Sequence, residues 1–140
     1  MARHDPLAAL LKLRGLEVAA ARRDLVARQA GAAAAAEREA AARRAMEAEL
    51  AGGGDFADSL AAWLPVARAA RERAAGEAAL ASQAVEAARM ALAQQRAQER
   101  AVEWLRDRRK QEARDKAMRA EQNALDEASQ RRGHTSGPVA

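Results

Sequence analysis

The sequence predicts an all-α fold: two long helices in an antiparallel coiled-coil hairpin, with the second helix longer than the first. Three observations carry it. The composition is that of long helices, 31% charged and 2% aromatic, with most of the 49% hydrophobic count supplied by alanine. One glycine cluster, "GGG" at 52–54, interrupts sequence that otherwise favours helix throughout. Apolar residues recur at spacing seven on both sides of that cluster, which marks a coiled-coil seam. At 140 residues, with Phe56, Trp63 and Trp104 as its aromatics, the chain is one domain with a thin core.

The first helix is expected over 6–51. Asp5 can cap the free amides, and Pro6 suits the first helical position, where no amide hydrogen is needed. "GGGDFAD" supplies a turn over 52–58, and Asp58 is a candidate cap for a second helix over 59–132. Pro65 lies too far inside for a first-turn residue if Asp58 is the cap. Either the helix kinks there or it begins nearer Trp63. Arg131 and Arg132 followed by Gly133 form a stop signal, which leaves 133–140 as a disordered tail.

Spacing sets the register. In the first helix Leu11, Val18, Leu25, Ala32 and Met46 recur every seven, with Glu39 interrupting; in the second, Leu64, Ala78, Val85 and Leu92 do so, with Arg71 interrupting. Folding the chain at residue 55 makes paired positions sum to 110. Leu50 then faces Leu60, Met46 faces Leu64, Leu25 faces Val85 and Val18 faces Leu92. Ala32 meets Ala78, and Glu39 meets Arg71 as an ion pair. The stretch from Gly31 to Ala36 falls opposite Ala74 to Ala81, which includes Gly76, so a narrow and weak waist is expected there.

The same register leaves the second helix unmatched at its far end. Val102, Trp104 and Leu105 are expected to pack on Leu7, Leu10 and Leu11. Beyond about residue 106, some 25 residues, or about 38 Å of helix, overhang. Ala113, Ala117, Met118, Ala120, Ala124, Leu125 and Ala128 give this overhang a weak apolar stripe, and a lone helix with such a stripe is marginal in water.

Composition also bounds the chemistry. The net charge of +4 and pI near 10.5 suit an acidic partner, but Arg and Glu interleave through most of the chain, which argues against a nucleic-acid face. There is no cysteine, and no apolar run suits a signal peptide or a bilayer span, so a cytoplasmic protein is expected. His4 and His134 lie near the ends, and "GGGDF" lacks the Lys-Ser/Thr of a phosphate-binding loop. No spacing suits a metal site, and a narrow hairpin offers no pocket. The expectation is a protein without catalytic residues, cofactor or metal.

"LLKLRGLEVAAARRDL" near the start, "FADSLAAWLPVAR" after the turn and "RAEQNALDEASQRR" at the end resemble the FliJ family over residues 5–132. The most specific piece is "EQNALDE", Glu121 to Glu127, after a basic stretch. FliJ-like proteins are soluble stalks of the flagellar type III export apparatus, with a related branch in virulence injectisomes. They are similar to the central stalk of rotary ATPases, a coiled coil whose longer helix enters a hexameric ring. The resemblance implies three partners: the hexameric export ATPase, a membrane export gate protein and export chaperones. It implies a chain that is monomeric when free and peripherally associated with the inner membrane. Arg108, Arg109, Lys110, Met118, Arg119, Glu121, Gln122, Leu125, Asp126 and Glu127 become candidates for the ATPase contact. Phe56, Leu60, Trp63 and Leu64 become candidates for the gate contact. Leu60 and Leu64 read more readily as hairpin core, whereas Phe56 and Trp63, off the seam, read as an exposed aromatic pair. A generic coiled-coil scaffold is the alternative.

Overall fold

The computed structural model describes residues 4–52, 57–135 and 137, and within them the chain is two helices packed along their lengths. Helix α1 spans Pro6–Gly52 and helix α2 spans Ala57–Thr135, 47 and 79 residues long. The pairing is antiparallel: Asp5 meets Arg106, Arg14 meets Gln98 and Arg38 meets Glu77. Gly53, Gly54, Asp55 and Phe56 of the expected turn lie outside the described residues.

The start of α1 follows from its capping chemistry. The Leu7 amide donates to Asp5 Oδ1 at 3.0 Å, and the Ala9 amide donates to the Asp5 carbonyl at 3.3 Å. Helix α2 begins at Ala57, two residues earlier than expected, so Asp58 sits inside the first turn. There its charge favours the helix N-terminus through the macrodipole rather than as a cap. Pro65 is an interior residue of a helix already under way, not near its start. The helix tolerates the lost hydrogen bond because Leu60, Trp63, Leu64 and Ala67 around it are all partly buried against α1.

The far end of α2 departs further from expectation. It runs through Gly133 to Thr135, so 133–135 are helix rather than tail. A glycine stops a helix most readily by taking up a left-handed conformation, and no glycine among the described residues has positive φ. The Thr135 hydroxyl donates toward the last-turn carbonyls, lying 3.3 Å from that of Arg131 and 3.0 Å from that of Arg132.

The core is one thin seam. Leu7, Val18 and Ala35 of α1 are buried against Val85, Ala88, Leu92 and Val102 of α2. On α2, Ala78, Ala81, Val85, Ala88, Leu92, Gln95, Glu99, Val102 and Arg106 are all buried or half-buried, in alternating steps of three and four. That alternation is the knobs-into-holes pattern of a coiled coil. Contacting side chains sum to 111 for Asp5–Arg106, 112 for Arg14–Gln98 and 115 for Arg38–Glu77, not 110. Helical side chains lean toward their own N-terminus, so in an antiparallel pair both partners lean and the contacting positions lie further along each chain. Glu39 does not reach Arg71. It pairs with Arg43 in its own helix at 3.1 Å, because an i,i+4 partner needs no bridging across the seam.

The waist is built by alanine alone. Ala35 is only 2% exposed, the tightest position among the described residues, and Ala32, Ala74, Ala75, Ala78 and Ala81 around it are half-buried. Gly31 and Gly76 take no part. A Cβ added at either meets nothing within 4 Å. They are exposed helix-interior glycines with no packing reason to be there. Gly31→Ala and Gly76→Ala are each expected to stabilise the hairpin by about 1 kcal/mol. The check is the midpoint of chemical unfolding followed by circular dichroism. A fall in the midpoint for either variant would mean that the waist needs the glycines.

Candidate binding surface on the overhang

Helix α1 gives out at Asp5, whose Oδ2 lies 3.4 Å from Arg106 Nε. Partial burial pushes the Asp5 carboxyl up, but hydrogen bonds from the Ala8 and Leu7 amides and the Arg106 charge outweigh it and hold it below the ordinary value. Past this pair, α2 continues alone from Asp107 to Thr135. Every residue of that stretch is exposed except Asp115, which is half-buried. At the usual rise, these residues span about 43 Å.

Local pairs hold the lone helix. Arg108 bonds Glu112 at 3.1 Å, Gln111 bonds Asp115 at 3.0 Å and Gln122 bonds Asp126 at 3.2 Å, all at spacing four. Each such pair contributes about 0.2–0.5 kcal/mol, so several together help a helix that has no packing partner.

The ten ATPase-contact candidates all fall on this overhang, but not on one side of it. Carrying the seam spacing forward puts Arg109, Ala113, Lys116, Ala120, Asn123 and Glu127 in line with the hairpin core. That line is polar or small throughout, so nothing like α1 could extend along it. Met118 and Leu125, 67% and 65% exposed, stand on the opposite side. The expected apolar stripe is therefore spread over half the helix, with Ala113 and Ala120 at one edge and the two large residues at the other.

Trp104 departs from the sequence reading. It does not pack on Leu7. It is 60% exposed, on the same outer line as Met118, with the Arg108 guanidinium 5.2 Å from its ring centroid. Leu105 is exposed as well, and of the three residues expected to pack there only Val102 is buried. A periodicity argument could have found this, since Trp104 lies two residues after Val102 and so turns away from the seam.

At the turn end the corrections run the other way. Trp63 is half-buried and lines a shallow groove with Ala42, Ala45, Met46, Val66, Ala67 and Ala70, so it is part of the packing against α1 rather than an exposed aromatic. Leu60 and Leu64 are half-buried beside it, and Phe56 lies outside the described residues. The sequence reading also missed a polar layer in the seam. Arg14 Nη1 donates to Glu17 Oε2 and to Gln98 Oε1, both at 2.8 Å. The signal was present, because Arg14 lies seven from Leu7 and seven from Ala21 on the seam line.

His4 and His134 are exposed and far apart along the rod, His134 being helical. Among the described residues no group of His, Cys, Asp or Glu is placed to hold a metal ion. No described helix is long and apolar enough to cross a membrane. The arrangement defines a class: a coiled-coil hairpin with a solvent-exposed single-helix extension. No protein-family model, curated protein or solved structure matches the chain.

Proposed function

We propose that the chain is a non-catalytic stalk of type III protein export, binding a hexameric export ATPase through the α2 overhang. The flagellar export apparatus is the system in this reading, with the injectisome as the alternative. In this reading the chain carries the ATPase's motion toward the export gate and the chaperones, at the inner face of the membrane, and dilute free chain is a monomer.

The observation that carries the proposal is the run of α2 that extends past the start of α1, from Asp107 onward, with Met118 and Leu125 exposed. The ten candidate residues occupy every position of the heptad around that helix. A flat partner could meet only some of them at once, whereas a ring surrounding the helix could meet all. Burial inside a protein-lined pore would also recover the apolar area of the two large side chains.

The experiment is a pull-down with the cognate export ATPase. A chain ending after Arg106 is expected to keep its hairpin and lose ring binding. Leu125→Asp is expected to weaken binding at least tenfold, since a charge in a protein-lined pore must be desolvated, at a cost of about 1.4 kcal/mol or more. Retention of full binding by the shortened chain would leave the generic scaffold as the better reading.

A further inference from the structure

The outer line of α2 carries a pattern that the hairpin does not use. Met90, Ala97, Trp104, Gln111, Met118 and Leu125 follow one another at intervals of seven, on the side away from α1. All six are exposed, and the line passes without a break from the paired part of α2 onto the overhang. No such line exists on α1, where the exposed Leu13, Leu16, Val26 and Leu50 occupy four different heptad positions and none recurs at spacing seven.

The charges beside this line alternate in sign. On one flank they read Arg100, Asp107, Arg114, Glu121; on the other, Arg108 and then Asp115. Both series reverse about Gln111. Arg100 and Glu121, Asp107 and Arg114, and Arg108 and Asp115 are each centred within half a residue of it. A line with this symmetry complements a second copy of itself laid antiparallel, because in a two-fold interface each flank meets the same flank of the other molecule. From Ala97 to Leu125 the apolar line complements itself in the same register, and Met90 lies beyond that stretch. Trp104 meets Met118, with a ring against a thioether, small Ala97 meets large Leu125, and Gln111 meets Gln111 on the axis. Antiparallel alignment also opposes the two helix dipoles.

We infer that two copies of the chain associate through this outer line of α2, antiparallel about a two-fold axis at Gln111, so that each overhang lies along the outer face of the other hairpin. The association is weak. One apolar residue in seven is a sparse line, Lys110 and Glu112 at the rims face their own copies, and the buried area falls at the low end for protein interfaces. Dilute chain is then monomeric and concentrated chain dimeric. The dimer covers Met118 and Leu125, so a partner that needs those residues competes with it. The inference stands without the export reading, because it uses only this chain.

The chain contains no cysteine, so single cysteines report directly on the register. Gln111→Cys in the full chain, oxidised at high concentration, is expected to give a disulfide-linked dimer several-fold more efficiently than Gln83→Cys. Gln83 is exposed on the same line outside the proposed interface, so it measures random collision. Trp104→Cys should link poorly to itself but readily to Met118→Cys when the two are mixed. Arg100→Glu is expected to lower the Gln111→Cys yield, and adding Glu121→Arg to restore it, since the swap rebuilds the pair with reversed signs. None of these positions is buried, and circular dichroism verifies that each variant keeps its helices. Equal yields at 83 and 111 would overturn the proposal, as would self-linking at 104 matching that at 111, which marks a parallel pair. An Arg100→Glu chain that links as well as its parent would also overturn it.

Discussion

Leu92→Ala is expected to lower the stability of the hairpin by about 2–5 kcal/mol, the usual range for a buried leucine cut back to alanine. Leu92 is 7% exposed and sits in the seam between Ala88 and Gln95. Its neighbours there are small or polar, so little can move in to fill the space it leaves. The seam holds seven buried apolar residues among those described, five of them alanine or valine, so one of its two buried leucines is a large share of what holds the helices together. Leu80→Ala is the control. Leu80 is 66% exposed, and its loss is expected to change stability by no more than about 0.5 kcal/mol. The measurement is thermal and urea unfolding by circular dichroism at fixed concentration. Equal effects of the two substitutions would mean that the helices do not pair through the seam.

Pro65→Ala is expected to raise stability by up to about 3 kcal/mol, the cost of an interior proline in a helix. Pro65 is exposed and lies inside α2, where it removes one backbone hydrogen bond and crowds the preceding turn. Alanine restores the bond and touches nothing new. The gain should appear as a higher unfolding midpoint and as stronger amide-exchange protection around Ala61 to Ala69. An unchanged midpoint would show that the helix is not continuous through this point in solution.

Much of the architecture was legible in the residues. Asp5 and Pro6 marked the start of α1, because a cap and an N1 proline act through the adjacent backbone alone. The spacing of Leu11, Val18 and Leu25 against Val85 and Leu92 marked which faces meet, because a seam repeats wherever two helices run together. The overhang followed by subtraction, since α2 is much the longer helix. Less of the binding surface was legible. The Met118 and Leu125 pair was visible as apolar residues, but its separation from the seam line emerged only once buried positions fixed the phase of α2.

What the sequence determined by itself was therefore the local and the periodic: two helices, the break between them, the cap, the heptad, and a second helix that outruns the first. Those properties depend on each residue and its neighbours within a turn or two. The tertiary structure alone decided which of two chemically alike residues is covered. Trp63 packs on α1 while Trp104 faces outward, and Ala35 closes the waist while Gly31 and Gly76 stand clear of it. It also decided that α2 continues through Gly133. The physical reason is common to all of these. Burial depends on what stands opposite, and a chain can specify its own pattern of faces without stating, at any one position, where the other helix lies.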